Sequence, residues 1–153
     1  MKKEKNFNGK LEFEGEFLYG KKNGKAKENY DNGTLQFKGE YLRGQKWSGK
    51  GHDKKGNIDY EIKDGKGYLK EYDDNYKIEY EGEYLNGKRN GKGKEYYEGK
   101  LRFEGEYLDG KRNGQGKEYY KGKLKFEGEY NWMEKEILIK NKNIKNVWQP
   151  EIN

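Results

Sequence analysis

From Leu101 to Tyr107 every second residue is apolar or glycine (Leu101, Phe103, Gly105, Tyr107), while Arg102, Glu104 and Glu106 between them are charged. A period of two with one apolar and one charged face predicts a β-strand and argues against a helix. The six residues that follow, Asp109-Gly110-Lys111-Arg112-Asn113-Gly114, contain two glycines and an Asp-Gly pair, which predicts a hairpin connection. Gln115 to Tyr120 then reads as a return strand and Lys121-Gly122 as a second turn into the next unit. Each unit is one hairpin, and the hairpins join into an antiparallel meander. Gly105 lies between two same-face aromatics, where it would let a ring or a neighbouring backbone approach closely. On the other face Glu104 and Glu106 are placed to oppose lysines such as Lys117.

The aromatic that opens the unit recurs at Phe13, Phe37, Tyr60, Tyr80, Phe103 and Phe126, with spacings of 24, 23, 20, 23 and 23. A fixed period of this length marks a repeat architecture. All 23 glycines fit the register. Units four and five carry Gly82, Gly87, Gly91, Gly93, Gly99 and Gly105, Gly110, Gly114, Gly116, Gly122, and unit two aligns with them as Gly39, Gly44, Gly49, Gly51 and Gly56. The expected fold is therefore all-β: an elongated, single-layer antiparallel meander of about six stacked β-hairpins of about 23 residues, with strands about 4.8 Å apart giving a rod on the order of 60 Å. Residues 1–12 form an N-terminal half repeat or cap, 13–130 the repeat sheet and 131–153 an apolar capping or docking tail.

Two places depart from the rule. Unit two puts Trp47 in a turn where units one, four and five have Asn, and unit three loses most of its long turn, which shortens the period to 20 and opens a notch that Trp47 could fill or present to a partner. The tail carries Ile137, Leu138, Ile139, Ile144, Val147, Trp148 and Ile152, with Pro150 against a long helix. It would cap the last strand, fold back over the aromatic face or dock into another copy as a homodimer contact.

Composition alone points the other way, because 41% charged and 29% hydrophobic residues suit a disordered chain. Against this stand 16% aromatics, 34 basic residues nearly cancelled by 28 acidic ones, and the fixed register. No thick two-layer core is available. The chain has no cysteine, and no apolar run is long enough for a signal peptide or membrane span, so a cytoplasmic protein is expected, with membrane or cytoskeletal association open. The catalytic inventory is bare: one His (His52) four residues after Ser48, one Thr and carboxylates that repeat in register, so no enzyme is expected. No cofactor or metal is expected either, since Asp73-Asp74-Asn75 and Asp31-Asn32-Gly33 read as turns.

Two surfaces remain as candidate sites. The aromatic face of Phe13, Phe17, Phe37, Tyr41, Tyr84, Phe103, Tyr107, Phe126 and Tyr130, joined by Trp47, is covered by nothing in the repeats and reads as a partner-binding strip. The basic positions Lys21, Lys22, Lys46, Lys88, Arg89, Lys111 and Arg112 occupy one turn in successive units, which aligns them as an edge for anionic lipid or an acidic protein. Nucleic acid is disfavoured, because the tyrosines that could stack bases alternate with glutamates that repel phosphate.

The segments YEGEYLNGKRNGKG and FEGEYLDGKRNGQG resemble the MORN (membrane occupation and recognition nexus) repeat over roughly residues 8–130. The resemblance implies stacked β-hairpins in a twisted, elongated sheet serving as scaffold, dimerisation module or partner-binding groove, with phosphoinositide binding proposed for some members. Where the family commonly has Trp this chain has Phe17, Tyr41, Tyr84, Tyr107 and Tyr130, and where it has His this chain has Asn23, Asn90 and Asn113. The function expected is a non-enzymatic scaffold or adaptor that holds an extended peptide or helix on the aromatic face. The alternatives are a peripheral membrane module led by the basic edge, and a toxin-sequestering immunity or antitoxin protein, since some of those are built from similar repeats.

Overall fold

The computed structural model describes residues 1–131 and, as backbone only, 136–138. The described residues form one antiparallel sheet in which every strand pairs with its neighbours in sequence. The strands are β1 (Lys2–Lys5), β2 (Leu11–Leu18), β3 (Lys21–Asn29), β4 (Leu35–Leu42), β5 (Gln45–His52), β6 (Ile58–Lys63), β7 (Lys66–Tyr72), β8 (Ile78–Leu85), β9 (Lys88–Tyr97), β10 (Lys100–Leu108), β11 (Lys111–Tyr120), β12 (Lys123–Asn131) and β13 (Glu136–Leu138). The all-β hairpin meander expected from the alternation is what forms. The roles expected for the C-terminal tail lie outside the described residues, apart from the backbone of β13 beside β12.

The long turn is shorter than the glycine spacing suggests. Only Asp109 and Gly110 connect β10 to β11, with φ of 53° and 90°, and Lys111 to Gly114 already belong to β11. A two-residue connection with both residues at positive φ matches the twist of the strands it joins. The Asn113-Gly114 pair makes a bulge instead. Asn113, Gly114 and Gln115 stand opposite Glu106 alone, Gly114 has φ 92°, and the Glu106 carboxylate accepts the Gln115 N–H at 2.6 Å. In unit four Glu83 does the same for the Lys92 N–H at 2.6 Å.

Unit two uses a different register from the one its glycines suggest. Gly49, not Gly51, lies opposite Gly39, because only Trp47 is extra between the pairs Glu40–Ser48 and Tyr41–Lys46. Gly51 therefore stands opposite Phe37, at the position that Glu28, Glu95 and Glu118 hold opposite Phe13, Tyr80 and Phe103.

Successive turns along one edge are tied together. The Gly44, Gly65, Gly87 and Gly110 N–H groups donate to the carbonyls of Lys22, Trp47, Gly65 and Arg89 at 2.7–2.9 Å. Asn23 and Asn90 accept the N–H of Arg43 and Asp109 in the following turn, and Ser48 Oγ does this for Asp64 at 2.9 Å. Asn23, Asn90 and Ser48 thus act as turn-to-turn staples. The ring of Trp47 closes the notch over the shortened third hairpin: a Cβ added to Gly65 would stand 2.7 Å from it.

The sheet is not a straight rod. The Asn32 N–H donates to Tyr76 Oη at 3.1 Å across 44 residues, and the Tyr30 ring packs edge-on against Tyr72 and Tyr76. Two loops on the same edge meet over the aromatic face, so that face is concave in the middle of the molecule and the charged face is convex.

Candidate partner-binding face

The aromatic face carries the core rather than an open strip. Phe37, Tyr80 and Phe103 are 0% exposed, Phe13 is 2%, and Tyr41 and Tyr107 are also buried. Their burial in a single layer has two causes. Each opening ring lies over glycine: Cβ atoms added to Gly105 and Gly116 would stand 2.7 and 2.6 Å from the Phe103 ring. Each ring also meets its neighbours edge-on at centroid distances of 5.3–6.0 Å, in the series Phe13–Tyr41–Phe37 and Tyr84–Tyr80–Tyr107–Phe103–Tyr130–Phe126. The expectation of an uncovered aromatic strip is thus corrected, since glycine lets the rings settle onto the sheet while they meet one another edge-on.

The third element of the cover is charge. Lys22, Lys46, Arg89 and Arg112 sit over the rings of Phe13, Phe37, Tyr80 and Phe103, 3.9–4.8 Å from their centroids. Arg112 grips Glu95 with two nitrogens, at 2.6 and 3.0 Å, and Glu118 with a third at 2.7 Å. Arg89 grips Glu71 in the same bidentate way at 2.7 and 3.1 Å. The hydroxyls of Tyr84 and Tyr107 donate to Glu71 and Glu95. Burial pushes the carboxyls of Glu71 and Glu95 up, but these arginine and tyrosine contacts outweigh it and hold both below the ordinary 4.5.

The basic edge is corrected by the same geometry. Successive strand residues face opposite ways, so Lys22, Lys46, Arg89 and Arg112 point onto the aromatic face while Lys21, Lys88 and Lys111 remain exposed at the rim. Lys88 stands 3.4 Å from Asp109. Four of the seven cations expected to meet an anionic surface are thus spent inside the molecule.

Units two and three break this pattern and leave a cavity of about 430 Å3 on the concave side. Its walls include Tyr30, Tyr41, Tyr60, Leu69, Tyr72 and Tyr84, with Lys22, Lys46, Glu28 and Glu71 as charged groups. Since Gly51 replaces an acid, Lys46 has one carboxylate, Glu28 at 3.3 Å, which Lys22 shares at 2.6 Å. The Tyr60 ring lies over Gly51 and its hydroxyl is 3.2 Å from Lys46 Nζ. Glu28 is held below its ordinary 4.5 because Lys46 and Lys22 outweigh the upward push of burial. Tyr41 Oη is buried without a hydrogen-bond partner among the described residues, and burial with the nearby Glu28 raises its pKa. Tyr30, whose hydroxyl donates to the His52 carbonyl at 2.8 Å, is raised to about 12, chiefly by burial.

The structure brings nine of the ten expected aromatics onto one face, and Trp47 caps the neighbouring edge. Sequence reasoning missed the acids Glu28, Glu71, Glu95 and Glu118, and the cavity tyrosines Tyr30, Tyr60 and Tyr72. A signal was present: Lys-Glu-Tyr at 70–72, 94–96 and 117–119, with Lys-Glu-Asn-Tyr at 27–30, is as regular as the aromatic opening. Among the described residues no three acids, histidines or cysteines cluster as metal ligands.

The fold and its glycine-seated ring ladder define a class of β-hairpin repeat. The MORN repeat family model matches residues 13–35, 80–101 and 103–124, so these three stretches of the chain are MORN repeats. No curated protein matches it. Proteins of this family are repeat-based binding or scaffold modules, in general non-enzymatic, and often associated with membranes or the cytoskeleton. Among the described residues no helix is long and apolar enough to cross a membrane.

Proposed function

We propose that this chain is a non-enzymatic adaptor that holds a segment of a protein partner, extended or helical, on its concave face, with one side chain of that segment entering the central cavity. The observation that carries this reading is the cavity itself. At about 430 Å3 it has the size of a ligand pocket, and it combines tyrosine walls with a lysine that lacks its second carboxylate. The rings elsewhere on the face are the floor of the groove, not its contact surface. The toxin-sequestering alternative would use the same cavity and differs only in the partner found there. The lipid alternative is weaker, with Lys22, Lys46, Arg89 and Arg112 paired over the rings and Lys88 paired with Asp109.

The test blocks the cavity without removing buried rings. Gln36 and Gln45 line it and are only half-buried, so Gln36→Trp with Gln45→Trp should fill its mouth. Partners recovered with the native chain should be lost with the double variant while the circular dichroism and melting temperature stay within a few degrees. Undiminished capture by the folded variant rejects the concave site.

A further inference from the structure

The convex face is patterned differently in its two halves. Across β7 to β12 the residues directly opposite one another alternate in sign: Lys70, Glu81, Lys94, Glu104, Lys117, Glu127. Across β2 to β6 the same row reads Glu14, Lys27, Lys38, Lys50, Glu61. Lys27 faces Lys38 and Lys38 faces Lys50, although like charges directly opposite one another weaken a sheet. All three are exposed, and among the described residues no side-chain hydrogen bond, ion pair or ring contact engages any of them. They border a shallow depression of about 740 Å3 floored by Ala26, Gly39 and Gly49. The alternation in the other half shows that this sequence can neutralise the row. Here three adjacent strands leave it positive.

We propose that this lysine row is a docking site for an acidic α-helix lying across the strands. The charge fixes the sign of the partner, and the spacing selects its conformation. Strands about 4.8 Å apart set the first and third lysines about 10 Å apart, and the convex curvature spreads their tips somewhat further. Carboxylates at positions i, i+4 and i+7 of a helix span about 10.5 Å along one stripe, which fits. Same-face acids of an extended strand span about 13 Å over three positions and drift off the row. Glu14, paired with Lys3 at 3.2 Å, and Glu61 bound the row at its two ends, so the partner helix should carry acids over two turns and not beyond. This surface lies on the opposite face from the concave cavity and can be occupied independently of it.

The test uses a fluorescently labelled alanine-rich helical peptide with glutamates at i, i+4 and i+7, beside a peptide of the same composition with the glutamates spread around the helix. Fluorescence anisotropy at low salt should show the striped peptide binding at least about fivefold more tightly. Lys38→Glu restores alternation, so it should leave the fold at least as stable while weakening the striped peptide about tenfold. Equal affinity for the two peptides overturns the proposal, as does unchanged binding to Lys38→Glu. It is also overturned if the striped peptide fails to bind while phosphatidylserine vesicles or a single-stranded oligonucleotide bind in a Lys38-dependent way.

Discussion

Units four and five, and units two and three, are built from the same hairpin and end differently. In the regular pair each ring has glycine beneath it and a bidentate arginine above, and Arg112 spans two acids. In the irregular pair a glycine stands in an acid's place, a lysine replaces the arginine, and the third hairpin loses its long arm. The regular pair closes its charged layer over the rings. The irregular pair curls until loops 44 residues apart touch, and holds a cavity where the layer is incomplete. Repetition thus makes the frame, and its failure makes the cavity.

The sharpest way to break this comparison is to remove a ring from each half. Phe103→Ala should lower the unfolding free energy by about 3–5 kcal/mol in urea melts, because the ring is sealed on both sides. Tyr60→Ala should cost less, since one side of that ring already faces the cavity. Equal losses would mean that the two halves are packed alike. Next in size is Gly116→Ala, whose new methyl would stand 2.6 Å from the Phe103 ring, at a cost of about 1–3 kcal/mol in the same assay.

Acid titration comes third. The depressed pKa values of Glu28, Glu71 and Glu95 give stability that is fully present above about 4.5 and is lost as pH falls through their folded values. Glu95→Gln should flatten that decline, read as melting temperature against pH between about 2 and 6. An unchanged profile would show that the pairing over the rings contributes nothing. The smallest effect concerns the convex row, where Lys38→Glu should raise stability by about 0.5 kcal/mol while Glu104→Lys in the alternating half lowers it by a similar amount.

Much of the fold is legible in the chain because strand alternation and turn chemistry are local. Leu101 to Tyr107 alternate visibly, and Asp109-Gly110 and Lys121-Gly122 name their turns. The candidate site is only half legible. The aromatics could be placed on one face, but a period of two does not say that Arg112 folds over Phe103 while Lys111 turns outward, nor that glycine spacing in unit two slips by two residues around Trp47.

The sequence by itself determined the hairpin unit, its count and its two faces, because backbone pleat and positive-φ turns depend on neighbours a few residues apart. Only the tertiary structure decided which surface is buried, which cations are spent and where the sheet bends. Those outcomes depend on long side chains meeting strands 15 to 20 residues away and on the summed twist of many strands, to which each residue adds a little and none announces the total.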